Sequence, residues 1–346
     1  MSRMLVVAPS WVGDTVLAQS LFIRLHARTA DLELDVLAPG WSAALLRRME
    51  QVREVITAPF GHGELKLGER WRLAQTLRRR NYAQAIVLPN SFKSALIPWL
   101  ARIPIRTGYV GEARYGLLND ARRLDATALP ALVDLFVQLG EQRGEVTPVK
   151  APRPALKAEK ASRRRTLAEL GLSDEQPSAA FCPGAEFGPA KRWPARHFAE
   201  LARLLVTQGY QIWLLGSAKD QGVAAEIQRI SGGVCRDLCG LTDLSAAIDL
   251  LASATVVVSN DSGLMHIAAA LDKPLAALYG SSSPSYTPPL SDDARVITLS
   301  LPCSPCFQRE CPLGHFHCME QMLPARVAQE LSLVHQSRSD REGFPS

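Results

Sequence analysis

Four short apolar runs in the first part of the chain each stop at a proline. Met4–Ala8, Leu34–Ala38, Glu54–Ala58 and Ala85–Leu88 are followed by Pro9, Pro39, Pro59 and Pro89. Proline cannot donate to a ladder, so a run that ends on one reads as a strand leaving its sheet. Between the runs, residues 15–29, 42–49, 69–80 and 91–101 carry apolar residues at helical spacing, and 129–142 does so after the last. Strands alternating with helices of this length fold as a parallel, doubly wound α/β sheet, because each crossover needs a helix to return the chain.

Residues 143–160 break the rhythm. Gly144, Pro148, Pro152 and Pro154 stand among Lys and Glu, the composition of a linker. Beyond it the alternation restarts, with strands predicted at 179–182, 211–216, 255–259 and 275–279 and helices at 195–208, 221–230, 244–252 and 263–271. The halves share a rhythm without being a sequence repeat. Two similar domains are therefore expected, 1–150 and 160–335, facing across a cleft, with a polar tail from Gln336 that frays. The chain's 346 residues suit two domains, and 47% hydrophobic residues supply their cores. The net charge of +5 favours anionic ligands or an acidic membrane surface but is too diffuse for nucleic acid. No run approaches the roughly 18 apolar residues of a membrane span. Met1–Ser10 reads as a strand rather than a signal peptide, and seven cysteines, an odd number, fit a reducing compartment.

In such sheets ligands bind beyond the carboxyl ends of the strands, and the unusual residues cluster there. After the first strand comes Ser10-Trp-Val-Gly-Asp-Thr15. It lacks the G-x-G-x-x-G of a nicotinamide site. Asp14 either caps the next helix or serves as a general base. After the first strand of the second half comes Pro183-Gly-Ala-Glu-Phe-Gly-Pro-Ala-Lys-Arg-Trp-Pro194, in which Gly184 permits close backbone approach to a phosphate and Lys191 and Arg192 neutralise it. An ordinary surface loop with solvated charges is the plainer reading. The turn Asn260-Asp-Ser-Gly263 joins an apolar strand directly to a helix. There Asp261 and Ser262 cap the helix, hold an anion, or do both, and His266 lies one turn on. Asp220, after a further strand, suits ribose hydroxyls or a helix cap. Cys303, Cys306, Cys311 and Cys318, with His315 and His317 among them, either ligate a structural metal or pack as reduced thiols or a labile disulfide. No Asp-x-Asp pair is present to hold a catalytic Mg²⁺.

Taken together, Trp11–Asp14, 183–194, 259–266, Tyr279–Pro284 and 303–315 resemble glycosyltransferase family 9, the heptosyltransferases, over residues 1–335. Segments 183–194 and 303–318 resemble the branch that adds the second heptose. The resemblance implies a GT-B fold of two Rossmann-like domains, acceptor side first and ADP-heptose side second, with a last helix near 324–334 returning toward the first. It implies inverting transfer of L-glycero-D-manno-heptose from ADP-heptose, with no metal or other cofactor, onto the first heptose of Kdo–lipid A. The work would be done in the cytoplasm at the inner-membrane surface. Asp14 matches the family's proposed base, Lys191 its diphosphate-binding lysine, and Asp261, Ser262, Gly263 and His266 its donor loop. Asp220 aligns more loosely with a ribose-binding acid. The alternatives are first-heptose transfer to Kdo, a nucleotide-sugar epimerase on the same fold, and a non-catalytic lipid A-binding protein.

Overall fold

The computed structural model of the chain describes residues 2–61, 64–145 and 150–342, with side chains described through Leu333. The chain divides into two compact units, Met1–Leu156 and Lys157–Ser346.

The first unit runs β1 (Ser2–Val7), α1 (Val12–Arg28), β2 (Leu32–Pro39), α2 (Ala43–Leu46), β3 (Glu54–Ala58), α3 (Leu67–Arg78), β4 (Gln84–Val87), α4 (Phe92–Leu100), β5 (Ile105–Tyr109), β6 (Asp120–Arg122) and α5 (Leu132–Gln138). Its six strands are ordered β3-β2-β1-β4-β5-β6, and every pairing is parallel. Residues 150–156 are strapped to this unit by Gln19, whose amide donates to Ala155 O (2.7 Å) and accepts from Ala155 N (2.9 Å).

The second unit runs α6 (Lys160–Glu169), β7 (Ser178–Cys182), α7 (Ala195–Thr207), β8 (Gln211–Leu214), α8 (Gln221–Ser231), β9 (Cys235–Asp237), α9 (Leu244–Ser253), β10 (Val256–Asn260), α10 (Gly263–Ala270), β11 (Leu275–Leu278), β12 (Ala294–Ile297), α11 (His317–Glu320) and α12 (Pro324–Glu342). Its order, β9-β8-β7-β10-β11-β12, is the same winding, again parallel throughout. β7, β10 and β11 are buried along their whole length, as a sheet covered on both faces requires. In each unit the strand order reverses beside the first strand, between β1 and β4 and between β7 and β10. That reversal opens a crevice at the carboxyl ends.

All eight expected strands form, within a residue or two of their predicted ends. Four more, β5, β6, β9 and β12, flank them. They are short or interrupted; Gly108 of β5, for example, has no side chain because a Cβ would lie 3.1 Å from Val87 O. A helix not expected from the sequence, α6, begins where the expected linker ends, at Lys160, with only Thr166 and Leu167 buried. Ser162 and Thr166 both donate to Asp249 on α9, so hydrogen bonds take the place of an apolar stripe. Linker residues 146–149 lie outside the described residues. The tail expected to fray is helical as far as Glu342. α12 is anchored by Val327 and Leu331 in the core of the second unit. Among the described residues no helix is long and apolar enough to cross a membrane.

Candidate functional site

The loops after β7 and β10 flank the crevice of the second unit, and buried side chains lock them together. Asn260, the last residue of β10, accepts from Trp193 N (3.0 Å) and donates to Pro183 O (2.8 Å). Trp193 is fully buried, and its indole donates to Met322 O (2.8 Å). Lys191 is thereby held with its ammonium 2.5 Å from Asp261 Oδ2. This pair is substantially desolvated, with side chains 17% and 4% exposed.

Asp261 is therefore committed to Lys191 and does not cap α10. Ser262 occupies the N-cap position, yet its hydroxyl makes no capping bond. It pairs instead with the Ser259 hydroxyl at 3.2 Å. Gly263 is the first helical residue. The backbone N–H groups of that first turn are thus left without a side-chain cap, which is the arrangement that binds an anion. His266 lies one turn further on, 4% exposed, with Nε2 4.0 Å from Asp261 Oδ1. Burial pulls its pKa down to about 4, and Lys191 pulls the same way, against the opposing charge of Asp261. The ring is neutral at pH 7.

A second cluster forms where β7 and β8 end. Asp220 Oδ2 accepts from Ser217 N and from Ser217 Oγ, each at 2.9 Å, in a capping box on the 3₁₀ turn Ala218–Asp220 that leads into α8. Asp220 thus closes the box on that turn, while at the N-cap position of α8 its side chain makes no capping bond. A Cβ on Gly184 would fall on the Asp220 carboxylate, and one on Gly216 would lie 2.9 Å from Asp220 Cβ and Oδ2. Both glycines make room for this acid.

The cysteine segment packs against the same edge. Phe307 N donates to Ser281 O (2.7 Å), Ser304 Oγ to Gly280 O (2.6 Å), and Ala190 N to Arg309 O (3.0 Å). Cys303, Cys306, Cys311 and Cys318 line a cavity of about 20 Å³ with Ala190, Ser281 and Phe316. Among the described residues no group of three or more His, Cys, Asp or Glu is arranged to hold a metal, so the structural-metal expectation finds no support. All seven thiols are free. The four in this segment have unlike surroundings. Burial, and then the neighbouring sulfurs of Cys306, Cys303 and Cys311, push Cys318 up, while the Phe316 N–H at 3.4 Å pulls the half-buried Cys311 down.

Asp14 belongs to the first unit. It is not the N-cap of α1; that position is Trp11, and Asp14 stands inside the first turn, half-buried. The positive end of the helix favours a carboxylate there.

Sequence reasoning singled out Lys191, Asp261, Ser262, Gly263 and His266, which the structure brings together, and Gly184 with Asp220, which it joins beside them. It missed Asn260 as the staple of the two loops. It also missed Phe187, whose ring centroid lies 5.1 Å from Lys191 Nζ and 5.2 Å from the Arg309 guanidinium. An amide closing a wholly buried strand was the available signal for Asn260. Nothing local marks Arg309.

The sequence profile of glycosyltransferase family 9 (heptosyltransferase) matches residues 70–317. Over 338 residues the chain is 48% identical to lipopolysaccharide heptosyltransferase 2 of Salmonella typhimurium, covering 95% of this chain and 97% of that protein. It is 48% identical over 309 residues to lipooligosaccharide heptosyltransferase 2 of Haemophilus influenzae, covering 86% and 88%. The solved structure of E. coli ADP-heptose LPS heptosyltransferase II aligns with a TM-score of 0.88 at 44% identity, over 98% of this chain and all of that one.

Proposed function

This chain belongs to glycosyltransferase family 9, the heptosyltransferases, and on that premise we propose that it moves L-glycero-D-manno-heptose from ADP-heptose onto the first heptose of Kdo–lipid A, with inversion and without a metal. The observation that carries this reading is the uncapped start of α10 beside Lys191 in the crevice of the second unit. Backbone N–H groups and a cation at one point suit the diphosphate of a leaving nucleotide, and they stabilise the charge that grows as the sugar departs.

Each residue then has a role. Asp14 takes the proton from the attacking acceptor hydroxyl as that oxygen bonds to the anomeric carbon from the face opposite the leaving ADP. Lys191 and the α10 N–H groups receive the diphosphate. Asp261 orients Lys191 through their ion pair, and neutral His266 walls the loop without adding charge. Asp220, fixed by Ser217 and the two glycines, accepts from the ribose.

A lipid-anchored acceptor places the reaction at the cytoplasmic face of the inner membrane, with the enzyme peripheral. Charge supports this: residues 1–156 hold 21 Lys and Arg against 14 Asp and Glu, whereas residues 157–346 hold 18 against 20. Exposed Leu65, Leu67, Trp71 and Phe92 stand on the positive unit beside Lys66 and Lys93, the mixture an anionic interface attracts.

The test measures ADP release from ADP-heptose with two acceptors, Kdo–lipid A bearing one heptose and Kdo–lipid A bearing none, each with and without EDTA. Release with the one-heptose acceptor alone, unchanged by EDTA, is the expected outcome. Preference for the heptose-free acceptor would move the chain to first-heptose transfer. Epimerised donor without acceptor would make it an epimerase, and loss of transfer in EDTA by folded enzyme would end the metal-free mechanism.

A further inference from the structure

The charge of Lys191 alone does not suffice for the ligand of the donor crevice. Lys191 is bonded to Asp261, so the pair carries no net charge, and His266 is neutral at pH 7. A nucleoside diphosphate is multiply anionic, and a carboxylate within one residue of its site opposes it. Arg192, next to Lys191 in the loop after β7, is one further cation within the crevice loops, and a second stands close by on the cysteine segment. Lys219 is not another, because it is paired with Glu186 on the same surface.

We propose that Arg309, from the cysteine segment, is a donor-binding residue that supplies further positive charge to the diphosphate. Its guanidinium stands 5.2 Å from the centroid of the Phe187 ring, and Lys191 Nζ stands 5.1 Å from the same centroid. The two cations therefore lie no farther apart than the sum of those distances. Phe187 gives the guanidinium a surface to rest on while keeping its N–H donors available, since a ring takes up the cation without consuming its fork of hydrogen bonds. Among the described residues the Arg309 side chain has no hydrogen bond or ion pair, although its position is tightly set. Its backbone carbonyl accepts from Ala190 N at 3.0 Å, one residue before Lys191. Gly188, with φ of 158°, makes room for that carbonyl, because a Cβ there would strike the Arg309 backbone. A charged, exposed side chain is thus delivered to the lysine by a fixed main chain. This also gives the cysteine segment a purpose: its hydrogen bonds to the backbone of Ala190, Gly280 and Ser281 hold the loop that carries Arg309.

The proposal rests on the reading of Lys191 as the diphosphate site, and the experiment separates the two. ADP binding by calorimetry and ADP-heptose kinetics are measured for the wild-type chain, Arg309→Ala, Arg309→Lys and Lys191→Ala. Hydrogen bonds to charged groups are worth enough that Arg309→Ala weakens ADP binding about 10-fold or more and raises KM for the donor. Arg309→Lys recovers part of the loss, and the dependence of ADP affinity on salt is shallower in Arg309→Ala than in wild type. Far-UV spectra and melting stay unchanged, because the anchoring contact is the backbone carbonyl. If wild type binds ADP and Lys191→Ala weakens it, but Arg309→Ala binds ADP within about 2-fold of wild type, Arg309 is refuted while the site survives. If wild type does not bind ADP, both readings fall. Should Arg309→Ala unfold, Arg309→Gln takes its place: weakened ADP binding with a shallower salt dependence in folded Arg309→Gln supports the proposal, and wild-type affinity and salt dependence in Arg309→Gln overturn it.

Discussion

His266 should make the second unit lose stability in mild acid. In an unfolded chain the imidazole titrates near 6.5, whereas in the fold burial holds it at about 4. Between those values the unfolded state binds a proton that the native state refuses, so stability rises with pH across that window and falls as the solution is acidified. Above pH 6.5 both states are neutral and the residue contributes no slope. Below pH 4 both are protonated and the loss is complete. The slope in the window approaches about 1.4 kcal/mol per pH unit, so acidifying from pH 7 to 5 removes ~2 kcal/mol and the full loss is ~3 kcal/mol. The reporter is built in. Trp193 and Trp213 are fully buried in the second unit, whereas Trp11, Trp41, Trp71 and Trp99 of the first are each 45–55% exposed. The red shift of tryptophan emission in urea therefore follows chiefly the second unit. Urea midpoints from pH 4.5 to 8 are compared for wild type and His266→Gln, which keeps a polar side chain and removes the titration. The wild-type curve should fall away from the variant's below pH 6.5. Parallel curves would refute the buried neutral imidazole and the donor loop geometry built around it.

Two further perturbations probe the remaining parts. Asp14→Asn should cut turnover about 100-fold or more while leaving ADP affinity unchanged, since a general base contributes 10²–10⁴-fold and Asp14 has no part in nucleotide binding; near-normal turnover removes Asp14 from the mechanism. Gly184→Ala should destabilise the protein by about 1–3 kcal/mol and raise the donor KM, because its methyl meets a carboxylate held by two hydrogen bonds. Adding Asp220→Ala should restore the stability and leave the KM defect, whereas a melting temperature insensitive to both changes would show that the two residues do not collide.

The paired sheets were legible because a buried parallel strand leaves a mark that cannot be hidden: a run such as Val256-Val-Val has no polar face, and the residues that end it must turn at once into a helix. β12, with Val296 exposed on the sheet's edge, carries no such mark. The helix α6 escaped for the opposite reason, since it is held by hydroxyls on Asp249 rather than by an apolar stripe. In the donor site the residues that touch one another within a loop or across one turn, Asp261 and His266, could be read from spacing. Lys191 could be read as a cation but not as a partner of Asp261, seventy positions away. That pairing is a property of the sheet order, which sets the loops after β7 and β10 side by side.

The same sheet order explains why capping and ligand binding, left open by the residues alone, separate here. A helix that starts at a buried strand end has orphan N–H groups that something must satisfy. At α9 the chain spends an aspartate on them: Asp243 accepts from Ala246 N at 2.8 Å. On the 3₁₀ turn Ala218–Asp220 that leads into α8, Asp220 and Ser217 serve each other in a capping box. At α10 two residues able to cap stand in place, and neither does so, because Asp261 is drawn to Lys191 and Ser262 to Ser259. The polar groups of this turn are directed away from the helix by partners that lie on other parts of the unit. An uncapped helix start, kept open by neighbours that hold its caps aside, is costly unless an anion completes it. Asp261→Ala supplies the decisive contrast. If the aspartate merely stabilised the fold, its loss would lower melting and leave nucleotide affinity alone. If it holds Lys191 in register for the diphosphate, the freed lysine retains its charge but loses its position, so turnover falls more than ADP affinity does.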